Sequence, residues 1–315
     1  MSKVNLRNGD GKMKVKMMVL GLATLGALGL GAAPLTAQAS TTQKIVSQKS
    51  VAKFGKVTGN AAGSLYAFRT TDGALTLTAT HQLKNFKHTA WEISKSALIQ
   101  KANGKTYRYY YVKALGAKQT ARGWVWHRYL KTPTTVKLGV PYVSQQAVKA
   151  WMGCESASLL EGLHYKGVLK STGLVAFMKH LPRSKNNNPN NGFAGSPYKV
   201  TPGVFQSIFP RPLAKWGNTY TPVKNISGAK LSQLRSQLRR HNPVVVYVTL
   251  HFAKAQYGHY FWGTGINNSH VMLLDGYRKG GYHVADPNHG KYWVSAAKFA
   301  RSYNYKHFAV AVEGR

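Results

Sequence analysis

Cys154 is the only cysteine in the chain, in Met152-Gly153-Cys154-Glu155-Ser156-Ala157-Ser158. A loop closes on glycine there, and the residues that follow read as the first turns of a helix. Far downstream, Ser269-His270-Val271-Met272-Leu273-Leu274 opens a strand on histidine, and Val284-Ala285-Asp286-Pro287 closes another on an acid. Upstream, Val140-Pro141-Tyr142-Val143-Ser144-Gln145 is extended and ends on a side-chain amide. An amide donor, thiol, imidazole and carboxylate are the parts of a cysteine nucleophile site. A helix N-terminus and a neighbouring imidazolium both favour thiolate. In that chemistry His270 takes the thiol proton and returns it to the leaving group, and Asp286 fixes the ring tautomer. Gln145 and the Cys154 backbone N–H would then donate to the developing oxyanion.

Each of these residues also has a plainer reading. A lone thiol can be an inert buried side chain, His270 can cap a strand and Gln145 can be a polar strand end. Asp-Pro commonly opens a turn, and Asn288, two positions on, is an alternative partner for the histidine. The chain has 12 histidines. His251, His259 and His270 fall in one region and His283 and His289 bracket Asp286, but these spacings match no compact zinc pattern and there is no second thiolate. Neither a metal nor another cofactor is expected. The glycines from Gly21 to Gly31 lack a strand–turn–helix context and do not make a nucleotide loop.

The elements around the candidate residues read as α+β. Ala157, Leu160 and Leu163 fall at helical spacing from Cys154 to Tyr165, with Gly167 as a stop. Further helices are expected over Leu174–His180, Lys230–Arg240 and Ser295–Arg301. Strands are expected at Pro243–Val248, His270–Leu274, Gly281–Ala285 and His307–Val312, forming an antiparallel sheet. On that reading His270 and Asp286 lie on adjacent strands joined by one hairpin. Residues 182–220, rich in Asn, Pro and Gly, show no period and read as a long binding or lid excursion.

Before this region the sequence changes character. Lys12, Lys14 and Lys16 precede an apolar run from Met17 to Ala33, and Ala37-Gln38-Ala39 is a small-x-small site. Residues 1–39 thus read as a signal peptide, with export of the rest and no membrane association after its removal. A retained anchor is the competing reading. Residues 40–54 read as a flexible lead or a first edge strand, 55–131 as an all-β domain of short strands, and 132–137 as a linker built on Pro133. A second domain, carrying the four candidate residues, would occupy 138–315. Asn103-Gly104 is a two-residue turn signal, and alternation puts Trp124 and Trp126 on one face with Val125 on the other.

Charge narrows the partners. The chain carries 44 Lys and Arg against 8 Asp and Glu, a formal net charge of +36. Losing residues 1–39 removes five cations and one acid, so the excess persists. Such a surface belongs among polyanions. The cations are spread along the whole chain, and export argues against nucleic acid, so an anionic wall polymer or peptidoglycan is the expected partner.

Two resemblances add to this reading. Asn103-Gly104-Lys105-Thr106-Tyr107-Arg108-Tyr109-Tyr110-Tyr111-Val112, followed by Arg122-Gly123-Trp124-Val125-Trp126-His127-Arg128-Tyr129-Leu130, resembles bacterial SH3-like cell-wall modules of the Gly-Trp type. That implies a small, non-catalytic attachment barrel. The stretches around Gln145, Cys154, His270 and Asp286 resemble the papain-like superfamily, and within it the bacteriocin-leader-peptidase-like cysteine peptidases. This implies a papain-like α+β fold, hydrolysis of peptide or amide bonds, Cys154 as nucleophile, His270 as base, Asp286 as orienting acid and Gln145 in the oxyanion hole. No transporter segments follow, so leader removal is not expected. The function expected is that of a secreted, wall-associated thiol hydrolase acting on wall peptides or extracellular proteins. The alternative is a non-catalytic surface-binding or adhesion protein that keeps the hydrolase fold.

Overall fold

Two antiparallel sheets dominate the computed structural model, which describes residues 42–58, 62–115 and 120–314. Residues 1–39, expected to be a signal peptide, lie outside the described residues. The first sheet comprises β1 (Lys44–Val57), β2 (Ser64–Thr71), β3 (Ala74–Gln82), β4 (Ala90–Gln100), β5 (Thr106–Ala114), β6 (Arg122–Trp126) and β7 (Leu130–Lys131). Their order is β3-β2-β6-β5-β4-β1-β7. Period-two alternation gives the sheet two apolar faces. Trp91, Ile93, Val112 and Val125 pack on one, while Ile99, Tyr109 and Trp124 pack on the other with Phe68, Tyr111 and Trp126 against them. Trp124 and Trp126 therefore do share a face opposite Val125, and Trp124 stacks on Phe68 at 4.7 Å. Gly104, with φ of 74°, turns β4 into β5.

One alternative is settled here and one expectation is not met. Of the two readings of 40–54, the strand holds from Lys44 onward, paired along β4 and joined by β7 only at its end. Its many polar residues are tolerated because most of β1 is exposed. The SH3-like barrel is not shown: the pairings describe a seven-stranded antiparallel sheet, built around the long β1–β4 ladder that short-strand reading missed.

The remaining elements are β8 (Val136–Lys137), α1 (Cys154–Tyr165), α2 (Leu174–Met178), α3 (Pro210–Gly217), β9 (Val223–Asn225), α4 (Leu231–Arg239), β10 (Val244–Thr249), β11 (Tyr257–Tyr260), β12 (Gly263–Ile266), β13 (Ser269–Arg278), β14 (Gly281–Asp286), β15 (Gly290–Ser295), α5 (Ala296–Tyr303) and β16 (Ala309–Val312). The second sheet runs β15-β14-β13-β10-β16-β9, and β8 pairs with β13. The last two residues of the expected linker thus belong to this sheet.

The central strands are apolar at consecutive positions because both faces are covered. Val245, Tyr247, Val271 and Leu273 pack in one core with Leu159, Leu160 and Leu163 of α1 and Phe177 of α2. Val244, Val246, Met272 and Leu274 pack in the other with Leu234 and Leu238 of α4 and Phe299 and Tyr303 of α5. Helix α1 lies close enough to β16 that a Cβ on Gly162 would meet Val312 Cγ2 at 2.7 Å. The 182–220 excursion hides α3, whose Pro210 presets the first helical φ and whose Trp216 stacks on Phe177 at 4.2 Å.

Candidate active site

The same alternation that builds the core fixes the site. His270 continues the face of Met272 and Leu274, and Asp286 that of Tyr282 and Val284, so both arrive on one face at one end of the β13–β14 ladder. His270 Nε2 meets Asp286 Oδ1 at 2.7 Å, with both side chains buried. Asp286 Oδ1 also accepts from Asn288 N at 2.9 Å, while Oδ2 accepts from Tyr292 OH at 2.8 Å and faces His289 Nδ1 at 3.2 Å. These hydrogen bonds and the His270 charge outweigh burial and hold the Asp286 carboxyl well below the usual carboxylate range. Asp286, not Asn288, meets the imidazole. The Asn288 side chain instead accepts from Gln146 Nε2 at 2.6 Å.

Helix α1 starts at Cys154 after Gly153, where a Cβ would lie 3.0 Å from Ala150 Cβ. The first amides of a helix have no intrahelical partner, which leaves the Cys154 N–H free to donate. Ser158 Oγ donates to Val271 O at 3.3 Å and ties the helix to β13. Cys154 and His270 line one cavity of about 340 Å³, walled also by Trp151, Val200, Phe205 and Tyr260. The structure thus brings thiol, imidazole and carboxylate into one place.

The thiol is not hydrogen-bonded to the imidazole. Cys154 Sγ donates to Glu155 Oε2 at 3.3 Å. Burial, the Glu155 charge and that hydrogen bond push the thiol well above the ordinary range, against the pull of the Val271 and Glu155 backbone N–H groups. Glu155 is itself buried, accepting from Ser207 Oγ at 2.5 Å and Ile208 N at 3.2 Å on Oε1, and its own pKa is raised by burial. Sequence reasoning passed over this residue. Its signal was present: a glutamate in the first turn of a helix whose neighbours are all apolar or small.

Gln145 is placed differently from expectation. It is buried, and its amide Nε2 donates to Ala150 O at 3.0 Å and Trp151 O at 2.9 Å, leaving Oε1 without a partner. Both amide protons are engaged by the loop before Cys154, so oxyanion donation from Gln145 requires one of those bonds to open. A second buried pair, His283 Nδ1 with Asp275 Oδ1 at 2.5 Å, lies farther along the same hairpin. Glu161, two turns along α1 from the thiol, accepts from Val143 N at 3.0 Å and leaves Oε2 unpartnered. Burial first, then the Asp275 and Asp286 charges, raise Glu161 well above its usual range. Among the described residues no group of three or more His, Cys, Asp or Glu is arranged to hold a metal ion.

A thiol at a helix start facing a strand-borne His–Asp pair across a shared cavity defines a cysteine-peptidase-like protein. The chain belongs to the Peptidase_C39 like family, which residues 137–310 match. It is 30% identical over 119 residues to the uncharacterized protein YvpB of Bacillus subtilis, a match covering 35% of this chain and 46% of that protein. The chain therefore spans about half the length of this curated relative. The crystal structure of a C39-like peptidase from Bacillus anthracis superposes with a TM-score of 0.51 and 21% identity, covering 57% of this chain and 97% of that one. That likeness concerns the fold. Xylellain, a cysteine protease from Xylella fastidiosa, aligns over 58% of this chain and 87% of its own at a TM-score of 0.30 and 12% identity, too distant to bear on the argument.

Proposed function

We propose that the chain is an exported, wall-associated cysteine peptidase acting on peptide or amide bonds in wall peptides or extracellular proteins. The observation that carries this reading is the shared cavity of Cys154 and His270, with His270 Nε2 held by Asp286. Rotation of the Cys154 side chain between staggered wells moves Sγ off Glu155 and toward His270. The imidazole takes the thiol proton, and the thiolate attacks the substrate carbonyl. The tetrahedral oxyanion sits on the Cys154 N–H, with Gln145 contributing if its amide is released. Collapse breaks the C–N bond, and the imidazolium protonates the departing amine. Water, deprotonated by the same imidazole, then cleaves the thioester and regenerates the thiol. The apolar wall of Trp151, Val200, Phe205 and Tyr260 suits an extended peptide with a bulky side chain near the scissile bond.

Cys154→Ala should keep the fold and abolish hydrolysis of wall-derived peptides; unchanged turnover in that variant ends the proposal. The basic surface and the aromatic first sheet, where Lys101 Nζ lies 5.7 Å from the Tyr109 ring centroid and Lys95 Nζ 5.9 Å from that of Tyr111, support attachment to anionic wall polymer through this sheet. Exposed charge attraction is screened by salt, so concentrated brine should release the protein from its envelope. Retention in brine would exclude charge as the tether.

A specific observation favours the second reading, a non-catalytic binding or adhesion protein. The thiol bonds Glu155 instead of His270 and its pKa is raised, the opposite of an activated nucleophile. The two readings separate on whether His270→Ala slows alkylation of Cys154.

A further inference from the structure

Beside Asp286, whose Oδ2 meets His289 and Tyr292, a second cavity of about 430 Å³ shares no lining residue with the first and is lined by His251, His289, Trp293, Ser295 and Lys298, among others. These come from four places: the loop after β10, the turn after β14, strand β15 and the start of α5. The His251 and His289 rings lie 5.1 Å apart at 56°. Both histidines and Lys298 are exposed, and no exposed carboxylate lines the cavity. His251 and its neighbour Phe252 both have φ of 56°, a left-handed backbone unusual for such side chains, so the fold holds His251 opposite His289 against local preference.

The one acid nearby cannot serve a cation. Asp286 already meets His270 and Asn288 N on Oδ1 and Tyr292 and His289 on Oδ2. With Nδ1 of His289 held by that carboxylate, its Nε2 is the ring nitrogen left for another partner. Ser295 Oγ accepts from Lys298 N, which leaves its hydroxyl proton to donate. We propose that this cavity is a binding site for a phosphate-type oxyanion, free or carried on a larger molecule, gripped by His251, His289, Ser295 and Lys298. A tetrahedral anion accepts from several directions at once, which fits donors converging from four segments. The site is separate from the hydrolytic cavity and does not depend on Cys154 being active.

The test is titration of the full chain with inorganic phosphate at constant ionic strength, followed by the imidazole NMR resonances. A second arm uses a glycerol-phosphate diester oligomer to separate free phosphate from a polymer-borne group. Expected are saturable shifts at His251 and His289 with at least one of these probes, present equally in Cys154→Ala. The pair His251→Asn and Lys298→Met should weaken binding by about tenfold or more. Asn keeps the left-handed backbone accessible, and thermal unfolding checks that the variant folds. Linear, non-saturating shifts with both probes, or undiminished binding in the double variant, would assign the effect to bulk charge and overturn the site. Saturation by zinc but by neither phosphate probe would overturn it as well.

Discussion

The outer surface and the interior around Cys154 and His270 treat carboxylates in opposite ways. Of the eight acids in a chain with 44 Lys and Arg, Glu155, Glu161, Asp275 and Asp286 are buried around one helix and one hairpin. Glu92, by contrast, meets Arg240 at 3.2 Å where both side chains are more than a third exposed. On a strongly basic surface a carboxylate is one screened charge among many cations, and such a pair contributes little. In the interior the same group helps decide which way a neighbouring thiol titrates. The buried acids are also not equivalent to one another. Asp286 is held ionised by its donors, Glu161 is pushed toward its neutral form, and Glu155 works against thiolate at Cys154.

That contrast can be broken residue by residue. The largest effect belongs to Asp286. Asp286→Asn should cut hydrolysis by about a thousandfold or more while sparing the shape of the site. Asp286→Ala should cost about 3–5 kcal/mol in urea unfolding, because it strands buried partners. Its depressed pKa makes the Asp286 contribution complete above the ordinary carboxylate range and lost as pH falls through the lower folded value. Unfolding on the acid side should therefore move to higher pH in either variant.

Glu155→Gln comes next. Glutamine can keep the Ser207 and Ile208 hydrogen bonds while turning an amide toward sulfur, so alkylation of Cys154 at neutral pH should rise about tenfold, one unit of thiol pKa. A slower reaction would mean that Glu155 assists the thiol. Glu161 carries the opposite sign from Asp286. Its folded pKa is raised, so its contribution is greatest at low pH and is lost as pH rises from the ordinary carboxylate value through the folded one. Glu161→Gln should flatten that decline and gain roughly 1–3 kcal/mol at pH 8, read by urea unfolding. The smallest effect is on the surface: Glu92→Gln should change stability by less than about 0.5 kcal/mol.

Much of the second region could be read from the chain because its signals are local. Cys154 after Gly153, the helical spacing of Leu160 and Leu163, and the apolar runs of β10 and β13 each announce their element. The His270–Asp286 contact follows from one hairpin and period-two alternation. What escaped reading depends on contacts distant in sequence. Glu155 is defined by Ser207 and Ile208, some fifty residues on. Gln145 is turned away by carbonyls of a loop whose path no pattern encodes. Helix α3 is too short for a period and is held by Trp216 against Phe177. The polar strand β1 reads as a lead because its partner β4, not its own sequence, makes it strand.

The most direct trial of the account is labelling of the intact protein with an electrophilic peptide probe, with the modified residue mapped, in wild type and in folded His270→Ala. Cys154 alone should be modified, and the His270 change should slow labelling at least about tenfold. Equal labelling in both proteins, or none at Cys154 in either, would contradict it.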